Sequence, residues 1–162
     1  MSERLCAEIW IGGRLSRVQV PEFLKAVSEA RVSLEWGDAC FTPNTAEELL
    51  ESLRDGRLWL CDDQASYGEF PELESACRAL GLSYRRHSEG KYEHDAEIVA
   101  WRPGMAEPLF RVGSNRNQSA YVPVEEVARA LKHLEAGRAG KAKKILRLLC
   151  PQVPELPPFE IV

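Results

Sequence analysis

The sequence predicts an α+β domain on three observations. Short runs alternate apolar and polar residues or are apolar throughout, the period of a strand. Between them lie stretches with apolar residues at helical spacing. The two kinds of element then follow one another as strand, helix, strand, and they do so twice. Pro21-Glu22-Phe23 aligns with Pro71-Glu72-Leu73 at an offset of 50, Ala26 with Ala76 and Ser33 with Ser83. Two such units make a βαββαβ sandwich, the ferredoxin-like arrangement. The expected divisions of one 162-residue domain are 1–56, the first βαβ half with an inserted helix; 57–113, the second half with a hairpin; 120–150, a helical pair; and 151–162, a proline-rich tail.

Leu5 to Ile11 reads as a strand with Leu5, Ala7, Ile9 and Ile11 on one face, ended by Gly12-Gly13. Pro21 to Arg31 reads as a helix with Val20, Phe23, Leu24 and Val27 inward, and Val32 to Trp36 as a strand. An acidic helix over Thr42 to Asp55 is capped by Asn44 or Thr45 and stopped by Gly56. In Arg57 to Asp62, Leu58 and Leu60 share one face and Trp59 and Cys61 the other, so both faces are covered. Asp62 and Asp63 are expected to end that strand, because aspartate bonds its own backbone in turns. Phe70, Leu73, Cys77 and Leu80 form the stripe of a helix with Pro71 in its first turn and Gly81 as a left-handed cap. Short strands follow at Leu82 to Arg86, Ile98 to Arg102 and Leu109 to Val112. Pro123 to Glu135, with Val124, Val127, Ala128, Leu131 and Leu134 on its stripe, and Lys141 to Leu149 are the last helices. The Ile145, Leu148 and Leu149 stripe of the second is expected to pack on the domain and push the lysines outward. Phe159, Ile161 and Val162 have strand character and are expected to pack on the body or pair with a sheet edge.

With 44% hydrophobic and 28% charged residues, the composition is that of an ordinary globular protein. No apolar run approaches the ~18 residues of a membrane span. The opening MSERLCAEIW lacks the basic start and apolar stretch of a signal peptide, which predicts a cytoplasmic protein with no membrane partner. Five cysteines at 6, 40, 61, 77 and 150 lack the close pairing of a metal site, so buried reduced thiols are expected and neither metal nor cofactor.

Candidate chemistry is sparse. Asp62, Asp63, His87, Glu89, His94 and Asp95 are the best candidates for a polar cluster in which carboxylates and a nearby imidazole could hold a divalent metal or act as acid and base. Arg85 or Arg86 would supply a phosphate contact beside it, as in a metal-dependent hydrolase or nuclease. Charge is more informative: Arg129 to Arg147 holds seven Lys/Arg and one acid, Glu135, in a chain of net charge −4. Lys141, Lys143, Lys144 and Arg147 are therefore candidate binding residues for an acidic partner.

Ile9-Trp10-Ile11-Gly12-Gly13-Arg14-Leu15 resembles the first-strand motif of RNA-recognition domains. That resemblance implies a base-stacking role for Trp10, with Trp59 as a second platform. Tyr67-Gly68-Glu69-Phe70, Arg86-His87-Ser88 and Lys91-Tyr92-Glu93-His94-Asp95 are similar to a loose group of uncharacterised bacterial and mobile-element proteins, which implies a bacterial or phage setting. With no reaction constellation in view, the expected function is a non-catalytic interaction or adaptor protein. It would be of the kind that inhibits or regulates a larger machine such as a defence complex. The alternatives are a nucleic-acid-binding module using Trp10, Trp59 and the basic C-terminal helix, and a metal-dependent hydrolase at Asp62, Asp63 and His87.

Overall fold

The structure, a computed structural model, describes residues 3–91, 93–115 and 117–162. In chain order the elements are β1 Arg4–Leu15, α1 Val20–Glu29, α2 Ala46–Glu51, β2 Leu58–Ser66, α3 Pro71–Leu80, β3 Ser83–Ser88, β4 Ala96–Trp101, β5 Leu109–Gly113, α4 Val124–Glu135, α5 Ala139–Leu149 and β6 Phe159–Ile161. The sheet runs β2-β1-β3-β4-β5 with every neighbour antiparallel, and β6 adds to β1 in parallel. The α+β class is therefore as the sequence predicts.

Helices α1 and α3 lie together on one face of the sheet. Phe23 and Val27 of α1 meet Leu73 and Cys77 of α3 over Ile9, Ile11, Leu58, Leu60 and Tyr84. Leu58, Leu60, Phe70, Leu73 and Leu80 are all buried in that one core. The helix ends follow their expected chemistry. Thr45 caps α2 by accepting from the Glu48 amide, and Gly81 closes α3 at φ 72°, where only glycine is unstrained.

Beneath α3 is a buried ion pair. Arg86 Nε lies 2.8 Å from Glu74 Oε1, and Arg86 Nη2 lies 3.5 Å from Glu97 Oε2. Arg86 Nη1 donates to the Gly68 carbonyl, and Glu74 Oε1 accepts from the Phe70 amide at the start of the helix. A single inward arginine thus joins two strands to the N-terminus of α3.

Several expectations need correction. The strand expected over Val32 to Trp36 is reduced to one bridge, Ser33 to Cys61, because the backbone turns at Arg31 (φ 54°) and Gly37 (φ 79°). β1 runs on through Gly12-Gly13, since β6 pairs with Gly13 to Leu15. Glycine is required at 12 for a different reason: a Cβ there would stand 1.9 Å from the Pro157 carbonyl oxygen. Nor does β2 stop at Asp62-Asp63. The Asp62 carboxylate does accept from its own backbone, at the Gln64 amide, but the outcome is a bulge opposite Leu5 and Ala7 rather than an end. The inserted helix is only the six residues of α2. Finally, the α5 stripe is not buried as expected: Leu148 is exposed and Ile145 and Leu149 are only partly covered, and the long apolar residues of α4 are exposed as well. The two helices contact each other chiefly, and the buried residues of the pair are Ala130 and Ala142. Among the described residues no helix is long and apolar enough to cross a membrane.

Candidate functional site: an apolar and basic helical hairpin

Strand pairing decides which candidate residues meet. Directly opposed residues in antiparallel strands share a face. His87 opposes Glu8, whereas Asp62 opposes Ala7 on the far side of β1. The intervening strand therefore holds Asp62 and His87 about 10 Å apart at two inter-strand spacings. Asp63 is exposed. His87 is buried with Nε2 3.2 Å from the Ser114 carbonyl, and burial lowers its pKa below the ordinary 6.5. His94 Nε2 sits 2.8 Å from Glu3 Oε2 in a separate exposed pair. Asp62, Asp63, His87 and His94 are thus not brought together. Among the described residues no group of three or more His, Cys, Asp or Glu is placed to hold a metal ion. Of the two candidate phosphate contacts, Arg86 is committed to the buried ion pair, while Arg85 opposes Trp10 on the outer face.

The two tryptophans are neighbours on that outer face, with ring centroids 6.3 Å apart. Trp59, however, is 5% exposed. The Arg54 guanidinium lies 4.1 Å over its ring, and the edge of Trp36 packs against it at 5.8 Å. Trp10 is half-buried. Only Trp10 retains any open ring surface for a base.

The α4–α5 hairpin has the opposite character. Val124, Val127, Leu131 and Leu134 recur at helical spacing along α4 and are all exposed, Val124 at 75% and Leu131 at 53%. On α5, Leu146 is exposed and Leu148 is 76% exposed. The reason lies in the sequence of the contact itself: alanines at 130 and 142 let the helices meet on their small side chains, leaving the long ones outside. The apolar surface continues onto the sheet. Phe110, Val112, Tyr121, Pro123, Leu148 and Leu149 line one cleft of about 510 Å³ between the edge strand β5 and the base of the hairpin.

Basic residues fringe this surface. Lys141, Lys143, Lys144 and Arg147 are all exposed, and none of them pairs with a carboxylate among the described residues. Slight desolvation and then the neighbouring charges of Arg138, Lys141 and Arg129 lower the pKa of His133. The positive field is therefore felt by a group on the hairpin. The sequence indicated these charges but not the cleft. Phe110 and Val112 look like core residues by alternation, and only the sheet order, which places β5 at the edge, shows them uncovered.

Compared with known proteins, the chain matches no family model, no curated protein and no solved structure.

Proposed function

We propose that the protein is a non-catalytic interaction protein that docks an acidic partner protein on the α4–α5 hairpin. The observation that carries the reading is the exposed stripe Val124, Val127, Leu131 and Leu134 beside a row of unpaired cations. A contiguous apolar surface rimmed by charge is the anatomy of a docking site. The cations select an acidic partner and steer its approach. A cytoplasmic setting in a bacterial or phage host accompanies this reading, supported by five free thiols. So does a ferredoxin-like core. Counting the Ser33 bridge as a vestigial strand beside β2 gives that fold's order, β3-β1-β2 and then residue 33. The nucleic-acid reading has less support, since the covered ring of Trp59 removes one of its two stacking platforms.

The test is affinity purification from the native host with three baits: wild type, Leu131→Ser/Leu134→Ser, and Lys141→Glu/Lys143→Glu/Lys144→Glu. The expected result is one acidic protein retained by wild type, lost from both variants, and binding purified wild type with a salt-sensitive association rate. Retention by both variants, or tight binding of the purified chain to anionic lipid vesicles without any protein partner, would reject the reading.

A further inference from the structure

The sheet face opposite α1 and α3 gathers four arginines that lie far apart in the sequence. Arg85 of β3 opposes Ala100 of β4, which opposes Leu109 of β5, and Ile98 of β4 opposes Arg111 of β5. These residues share the outer face. Arg57, two residues before outward Trp59, and Arg102, two after outward Ala100, project the same way by the two-residue period of a strand. All four line one cavity of about 470 Å³, floored by Ile98, Ala100 and Leu109 and walled by the tail from Pro151 to Leu156.

The hydrogen bonds of these arginines are mostly to neutral acceptors. Arg57 Nε donates to the Leu156 carbonyl and Arg102 Nε to Pro154, so two guanidiniums hold the tail, and Arg111 Nη1 donates to Leu149 at the end of α5. Arg102 Nη1 also donates to the Tyr84 carbonyl, and Arg85 Nη1 to the side-chain oxygen of Gln118. Carbonyls satisfy N–H groups but do not balance charge. Arg14, Arg54, Arg86 and Arg129 each have a carboxylate partner. Among the described residues, none of the four cavity arginines has a carboxylate at ion-pair distance; Glu8 offsets Arg85 in part from the same face, bridged to it by Gln118, and Glu155 is the one acid in the lining. Burial and then the nearby Arg85 lower the pKa of Arg102, the mark of an uncompensated cation beside another. The Nη2 groups of Arg57 and Arg102 make no hydrogen bond to the described residues, so donors remain as well as charge.

We propose that this cavity binds a phosphate-rich small anion, a di- or triphosphate group or a small molecule bearing one. Arginine forks match phosphate oxygens two at a time. The volume is that of a small-molecule site. The apolar floor keeps the local dielectric low, which strengthens each charge contact. Four cations against one acid suit a multiply charged ligand rather than a single carboxylate. The tail closes one side, so the site is a concave pocket and not an open track for a polymer. This site adjoins the cleft at the base of the hairpin, with Leu109, Arg111 and Pro151 lining both, but the proposal does not depend on the docking reading.

The test titrates sodium tripolyphosphate into the full chain by calorimetry at fixed ionic strength, and follows the melting temperature. One saturable site and a raised melting temperature are expected. Arg57→Gln, which removes one tail contact, and Arg111→Gln, which removes the contact to the end of α5, should each weaken binding about tenfold or more, the worth of a charge-assisted hydrogen bond. Arg102→Lys keeps the charge, loses the fork and should weaken binding while the fold is retained. Lys141→Glu/Lys143→Glu/Lys144→Glu should leave the affinity unchanged. The proposal is overturned by absence of saturable binding at millimolar ligand, by wild-type affinity in both glutamine variants, or by equal loss in the hairpin triple variant. Tighter binding of a single-stranded oligonucleotide through the same arginines would replace the small anion with nucleic acid.

Discussion

In α3, Leu73, Cys77 and Leu80 recur at helical spacing and are buried; in α4, Val124, Val127, Leu131 and Leu134 recur the same way and stay exposed. The two helices are similar in length and both are acidic in the first turn. What differs is the opposing surface. α3 lies beside α1 over β1 and β3, whose inward residues include Ile9, Ile11 and Tyr84. α4 packs chiefly on α5, and the residues buried in that pair are the alanines at 130 and 142. Periodicity thus reports that a helix has an apolar face, while the rest of the fold decides whether the protein itself covers it. A covered stripe stabilises the domain, and an uncovered one is available to a partner.

The core half of the comparison is broken hardest at its ion pair. Arg86→Ala removes the counter-charge of buried Glu74 and frees one end of the contact to Glu97. Unfolding free energy should fall by about 3–5 kcal/mol, measured by urea denaturation. A loss near zero would mean that Glu74 takes up a proton or reaches water, and that the region under α3 is looser than its packing implies.

The next effect sharpens the comparison through pH. His87 is buried neutral, and its pKa is lowered by burial. The unfolded chain therefore takes up a proton at higher pH than the folded one. Its contribution is present above the unfolded value of 6.5 and is lost as pH falls from there through the lowered folded value. His87→Gln should remove that part of the acid destabilisation below 6.5, seen as a flatter melting-temperature profile relative to wild type. An unchanged profile would show that other groups carry the acid response.

The smallest expected effect on the fold lies on the hairpin. Lys141→Glu/Lys143→Glu/Lys144→Glu should shift stability by no more than about 0.5 kcal/mol, as exposed charges do. It should slow association with an acidic partner on the order of tenfold at low salt, the range of electrostatic steering. A stability loss as large as that of a core substitution would mean that the lysine stems pack on the domain.

The same division explains what the sequence shows and what it conceals. The registers of β1, β2 and α3 are legible because their apolar residues fall at fixed spacing, and the ends of α3 carry Pro71 and Gly81 as the start of α2 carries Thr45. That Phe159 to Ile161 lie against the body as a strand is legible from β-character alone, although their pairing with β1 is not. The lengths of β1 and β2 are not legible, because the tail and the bulge that extend them are long-range or register effects. The Arg57, Arg85, Arg102 and Arg111 cavity could not be read from spacing, because it depends on strand order and on where the tail crosses. The cleft at Phe110 is concealed in the same way: alternation places it on the inward face, and only the edge position of β5 leaves that face bare.

The most direct test is a paired unfolding measurement on Leu73→Ala and Leu131→Ala. The two substitutions delete the same atoms from stripes of the same kind. If α3 is built into the core and α4 is left open, Leu73→Ala lowers the unfolding free energy by about 2–5 kcal/mol, while Leu131→Ala changes it by no more than about 0.5 kcal/mol. Equal losses at the two positions would show that the isolated protein covers the α4 stripe itself, and would contradict its role as a docking face.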